Sequence, residues 1–347
     1  MSQRKFDEFQ GKEVVATTLT NKNGCTAEIL NFGGILHSLK VPDKNGKFLD
    51  IVIGHNDAQT YFIDGAYHGA LIGRYGNRIA EGKITINQKT YQLALNNDGI
   101  NHLHGGNIGY NRRFWNIDAV SENSITLSLL DKDGEEEYPG TIALTVTYTL
   151  TDDNALVLEY RAKSDADTYF NPTNHSYFNL SGYQGGVITD HILQMNADFY
   201  TPTDDDLIPT GEIKSVTGTP FDFRTGKAIA TDLASDDADM KRGNGYDHNM
   251  VLGEPNVYKE NCCTVTDEKS GIVMQLSTDM PAVQLYIGNF LDGTYTGKDD
   301  KPIVKRTGMC LETQYYPDTP HHENFPSCLL KAGEDFYSKT EYRFSIL

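Results

Sequence analysis

Hydrophobic and polar residues alternate with a period of two along much of the chain. TIALTVTYTL (141–150) and NALVLEYRAK (154–163) place β-branched and aromatic residues at alternate positions, with the turn residues TDDN between them. This pattern predicts two antiparallel strands joined by a tight connection. KITINQKTYQLAL (83–95) predicts two short strands around a polar turn, and IVMQLSTDMPAVQLYIGN (272–289) and TEYRFSI (340–346) continue the pattern. Turn chemistry recurs in PDKNGK, DKDG, DEKSG and YPG. The best helical stretch, TDLASDDADMK (231–241), is weakly patterned. No fixed repeat, low-complexity tract or Pro/Ser linker divides the chain. The expectation is one all-β domain over 1–347: a large antiparallel β-sandwich, in preference to a barrel, with few short helices.

Composition narrows the partners. Lys and Arg total 30 against 48 Asp and Glu, a formal charge of −18. That balance repels phosphate backbones and anionic lipid surfaces, so no nucleic acid and no membrane partner is expected. A neutral or cationic small molecule suits it better. No apolar run approaches the ~20 residues of a membrane span. The leading MSQRKFDEFQGKE lacks the apolar core of a signal peptide, so a cytoplasmic location is expected. Five cysteines, an odd number without C-x-x-C spacing, fit a reducing compartment.

Four segments carry more polar groups than a sheet needs. In GRYGNRIAEGK (73–83), Asn77 and Arg78 offer a planar amide and a guanidinium suited to vicinal hydroxyls; the alternative is an arginine in a surface ion pair. NHLHGG (101–106) puts His102 and His104 two apart, hence on one face of an extended segment. They could be half of a metal site, a catalytic acid with its neighbour, or structural donors. GGNIGY follows without a carboxylate, which weakens the metal reading. FNPTNHSYFNLSG (170–182) surrounds His175 with asparagines and aromatics, which suits either a sugar pocket or a strand end. In TGMCLETQYYPD (307–318), Cys310 and Glu312 share a strand face. Glu312 is either a buried base of raised pKa or a solvent-facing carboxylate. GYDHN (245–249) adds Asp247. No dinucleotide fingerprint, P-loop or G-x-S-x-G accompanies these segments, so no cofactor is expected.

Taken in order, GRYGNRIAEGK, LHGG with Trp115 downstream, NPTNHSYFNL, YDHN and CLETQYYPD resemble the aldose 1-epimerase (galactose mutarotase) family over nearly the whole chain. The resemblance implies a β-supersandwich and a cofactor-free, metal-free isomerase that interconverts the α and β anomers of a free hexose, D-galactose or D-glucose. It implies Glu312 as general base, His175 as general acid and His104 as an assisting group near the ring oxygen. Asn77, Arg78, Asp247 and Gln284 correspond to the family's sugar-holding positions, and Tyr177, beside the acid, is placed in the same pocket. His102 inherits no role.

Mutarotation moves one proton off the C1 hydroxyl and another onto the ring oxygen, and then reverses both after rotation about C1–C2. A base and an acid on opposite sides of one bond suffice, both expected to titrate near working pH. A disaccharide such as maltose, or sugar binding without catalysis, remain alternatives. A monomer or a homodimer would serve equally.

Overall fold

The computed structural model describes residues 2–347. The predicted hairpin forms as expected: Ile142–Leu150 pairs antiparallel with Ala155–Ser164. Ile142, Leu144, Val146, Tyr148 and Leu150 are buried, and the intervening residues are more exposed. Alternation thus decides which face meets the core. The pair belongs to a nine-stranded sheet, in the order Asn116–Val120, Ser124–Asp131, Ile142–Leu150, Ala155–Ser164, Asp335–Ile346, Ile272–Thr278, Lys259–Thr266, Ile192–Met195 and Lys227–Ala228. The C-terminal strand therefore lies in the middle and joins the two halves.

The run 272–289 splits between two sheets. Ile272–Thr278 belongs to the large sheet, whereas Ala282–Tyr286 enters a five-stranded sheet ordered Lys214–Ser215, Phe199–Thr201, Asp247–Val251, Ala282–Tyr286 and Cys310–Gln314. Asp279–Pro281 is the crossing point. One face of the smaller sheet, with Met250, Val283, Leu285 and Leu311, shares a core with Leu158, Leu276, Tyr342 and Phe344 of the larger. The Tyr342 hydroxyl donates to Leu311 O at 2.9 Å, which ties the layers together. A second five-stranded sheet, from Ser2–Phe9 to Phe48–Asp50, adds Leu19, Ile29, Leu39 and Val41 to that core. This is the antiparallel sandwich that the pattern predicts.

Helix is scarce. The α-helices among the described residues are Ala58–Ile63 and Ala238–Arg242. The stretch 231–241 is not one helix: a short 3-10 turn, Ile229–Asp232, ends there and Ala238–Arg242 begins after a break. The Asp237 carboxylate accepts from the backbone of Asp239 and Met240, an N-cap that starts the second piece in mid-segment.

Candidate active site

The other face of the small sheet forms one wall of a cavity of about 510 Å³. Asp247, Tyr286 and Glu312 line it from three neighbouring strands. Gln284 stands directly opposite Glu312 in the ladder, so both project from the same face. Gln284 itself is not part of the cavity lining; its Nε2 donates to Asp247 Oδ1 at 2.7 Å and holds that carboxylate. Glu312 is buried, 2% exposed, which removes the solvent-facing alternative.

His175 enters from the opposite side on the segment 170–182. The asparagines around it bind backbone more than they line the pocket. Asn171 donates to Gly76 O and Tyr315 O, Asn174 to Gly69 O, and Asn179 to Gly186 O and Thr307 O. These bonds fix an irregular stretch that has few ladder partners of its own. The result sets His175 Nε2 at 3.6 Å from Glu312 Oε1, with Cys310 Sγ 3.4 Å from Nδ1 on its far side. Cys310 and Glu312 thus share a face, as the alternation predicts, and both meet the same ring.

Aromatic rings confine that imidazole. Tyr67, His104 and Tyr177 have ring centroids 5.8, 5.2 and 5.1 Å from His175. Tyr177 lines the cavity, but its hydroxyl donates to Ala66 O, so it offers the pocket a ring and not a donor. Tyr286, two residues beyond Gln284, completes the wall.

The two histidines of NHLHGG separate, contrary to the expectation that they share a face. The strand covers only His102–Leu103, and His104 adopts φ 52°, so the chain turns between them. His102 bonds to Ala94 O through Nδ1 and meets the Tyr138 hydroxyl at Nε2, in the interior. His104 lines the cavity. Gly105 follows at φ 84°, where any Cβ would collide with Gly73 O, so glycine is what allows the turn.

The backbone N–H of Asn77 donates to His104 Nδ1 at 3.0 Å. In the neutral ring this leaves the proton on Nε2 and makes His104 a donor. Asn77 Oδ1 accepts from Arg78 N, and Arg78 Nε donates to Asn97 Oδ1. Arg78 has no carboxylate partner among the described residues, which argues against the ion-pair alternative, and it lines the cavity.

A buried cluster stiffens the adjoining wall. The Asp64 carboxylate accepts from His55 Nε2 at 2.9 Å, His68 Nδ1 at 2.5 Å and Ala66 N at 2.9 Å. His68 then packs on Tyr177 with centroids 4.4 Å apart. Burial alone would raise Asp64, but the two imidazoles hold it well below the usual carboxylate range. Sequence reading misses Asp64, Tyr67, His68 and Tyr286. Only Tyr286 carried a signal, its period-two spacing from Gln284.

Burial acts oppositely on the two central groups. It raises the Glu312 carboxyl well above its ordinary value, reinforced by Asp247 and opposed by Arg78. It lowers His175 to about 3, with His68 adding to the effect. The expectation that both groups titrate near working pH therefore fails for His175, because burial disfavours the imidazolium. His104 is likewise held well below 6.5 by burial and by His175. The donor atoms of His104, His175 and Glu312 also lie within 4.8 Å of one another, a spacing an ion could bridge.

The family model of aldose 1-epimerase matches residues 16–343. A galactose mutarotase of Bos taurus is 42% identical over 92% of this chain and 91% of its own length. The aldose 1-epimerase of Escherichia coli K12 is 38% identical over 94% of each. Among solved structures, an aldose epimerase homologue from C. elegans superposes with TM-score 0.88 at 31% identity, covering 96% of this chain and 99% of its own. A galactose 1-epimerase from Lactobacillus acidophilus gives 0.86 at 30%, covering 99% and 98%. Family model, sequence identity and fold agree: the chain belongs to the aldose 1-epimerase family.

Proposed function

We propose that this isomerase interconverts the α and β anomers of a free hexose, D-galactose or D-glucose, with Glu312 as base and His175 as acid. The observation that carries the reading is the facing pair itself, 3.6 Å apart in a cavity rich in directional polar groups. Similar proteins are named galactose mutarotases, which favours galactose.

Burial raises one member of the pair and lowers the other, so together they hold a single proton over a wide pH range. Ring opening begins with that proton on His175. Glu312 takes the proton of O1 while His175 gives its own to O5; the C1–O5 bond breaks and C1 becomes an aldehyde. The pair ends neutral, the form that burial also favours at rest, so opening starts from the less populated charged arrangement. After rotation about C1–C2, O5 attacks the other carbonyl face and both protons return. The His104 Nε2–H donates near the ring oxygen. Asn77, Arg78 and Asp247 hold hydroxyls, Gln284 holds Asp247, and Tyr177 supports the His175 ring.

The cavity also favours a second reading. Twelve heavy atoms of a hexose, each taking less than a liquid water's ~30 Å³, fill under ~360 Å³. The remaining space faces the exposed Phe290 and Ile63, which suits a second ring such as that of maltose. Four lining carboxylates, Asp64, Asp247, Asp292 and Glu312, against Arg78 disfavour a sugar phosphate.

The motifs span the chain and the main core draws on residues from Leu19 to Phe344, which supports one domain. Five buried, unpaired cysteines support a reducing, cytoplasmic setting. Polarimetry on freshly dissolved α-D-galactose, α-D-glucose and maltose tests the reading: catalysed drift in rotation supports it. Binding without acceleration would identify a sugar-binding protein instead.

A further inference from the structure

On the catalytic face of the small sheet, Glu312 and Gln284 stand in a row with polar side chains that the reaction does not use. In the ladder Thr201 stands opposite Asn249, Asn249 opposite Gln284, and Gln284 opposite Glu312, so the four project side by side from one face across four strands. Gln314, two residues beyond Glu312, projects from the same face. All five are buried, none more than 3% exposed. Seven of their polar atoms have no protein partner: Thr201 Oγ1, both amide atoms of Asn249, Gln284 Oε1, Glu312 Oε2, and both amide atoms of Gln314. Glu312 lines the cavity, but Thr201, Asn249 and Gln314 do not.

A dry, unpaired buried polar atom costs about as much as a hydrogen bond contributes, or more. Seven together would rival the whole stability of a domain. As placed, these side chains do not relieve one another: Gln284 Nε2 is committed to Asp247, and no hydrogen bond joins the cross-strand neighbours. Contiguous donors and acceptors of this kind are how proteins hold ordered water, each molecule bridging two to four groups.

We infer that this row is a buried water site behind the base, and that Asn249 and Gln314 are positioning residues that solvate Glu312 Oε2 through it. One oxygen of Glu312 faces His175 and the sugar, and the other faces the water. This gives the carboxylate a partner for its ionised form while the mouth of the cavity is filled by substrate. The inference rests on Glu312 being the base. Glu312 is also faced by His175 and His104 from the cavity, Tyr286 from the adjacent strand, Asp247 from the strand beyond it, Cys310 on its own strand, and Tyr177 and Arg78 from the loops. The substitutions below leave all of these in place.

The test compares Gln314→Met and Asn249→Leu, near-isosteric apolar replacements, with wild type and Glu312→Gln. Loss of the water contacts should lower kcat at least ~10-fold with KM little changed. It should also move the alkaline limb of the pH–rate profile upward, because the ionised carboxylate is less well solvated. Tm should not rise. Wild-type kcat and pH profile with a raised Tm would show a dry row and overturn the inference. A lowered Tm with an unmoved alkaline limb would reduce both residues to packing and overturn it equally. Should Glu312→Gln retain wild-type turnover, the base assignment fails instead, and the two failures are distinct.

Discussion

His175 Nε2 and Glu312 Oε1 stand 3.6 Å apart, close enough to sense each other's charge and too far for a direct hydrogen bond. Neither group is consumed by the other, so both remain available to a sugar. Glu312→Gln keeps the shape and removes the proposed base, and His175→Asn removes the proposed acid. Each should lower kcat at least ~10²-fold, the lower end of what a positioned acid or base contributes. Circular dichroism should show both variants folded, and near-normal polarimetric rates in either would refute its role.

The pH dependence follows from the shared proton. Below about 3, His175 takes a proton while Glu312 keeps its own, and the base is lost. Above the raised value of Glu312 the pair loses its only proton, and the acid is lost. No limb belonging to His175 should therefore appear near pH 6.5, where an unperturbed histidine would produce one. A limb at 6.5 that disappears in a His175 variant would contradict the assigned environment.

Stability should change in that same region for a different reason. Burial lowers His102, His191 and His248 to about 4. Unfolded, these side chains regain protons near 6.5, so between about 4 and 6.5 the unfolded chain binds more protons than the native one. Stability should rise with pH across that window and fall as pH drops from 6.5 toward 4. Urea midpoints measured at intervals through it test the sign.

Gly105→Ala should damage both fold and activity. The added Cβ meets Gly73 O, and φ 84° is strained for alanine. A destabilisation of at least ~1–3 kcal/mol is expected from the strain alone, before the clash. His104, immediately preceding, should lose its position, so kcat/KM should fall as well. A Tm equal to wild type would show that the loop relaxes without cost.

Chelation separates proton transfer from ion chemistry at His104, His175 and Glu312. Prolonged treatment with a strong chelator followed by desalting should leave the rate unchanged. Loss of activity restored by one divalent ion, with about one equivalent found by elemental analysis, would replace the acid–base assignment.

Local chemistry in the sequence was enough for the sandwich, and the motifs named most of the side chains that the fold gathers at the cavity. Period-two alternation marks the strand faces at 141–163, and a burial face is a local property of a pleated strand. The same rule places Cys310 with Glu312. It fails at NHLHGG, because the turn at His104 depends on contact with Gly73, more than thirty residues away. It also could not show that 272–289 serves two sheets, that the asparagines of 170–182 bind backbone, or that Asp64 and His68 back the pocket wall. Nor could it foresee how far His175 is lowered. Burial, tautomer and unpartnered atoms arise from distant segments meeting, so only the tertiary structure decided them.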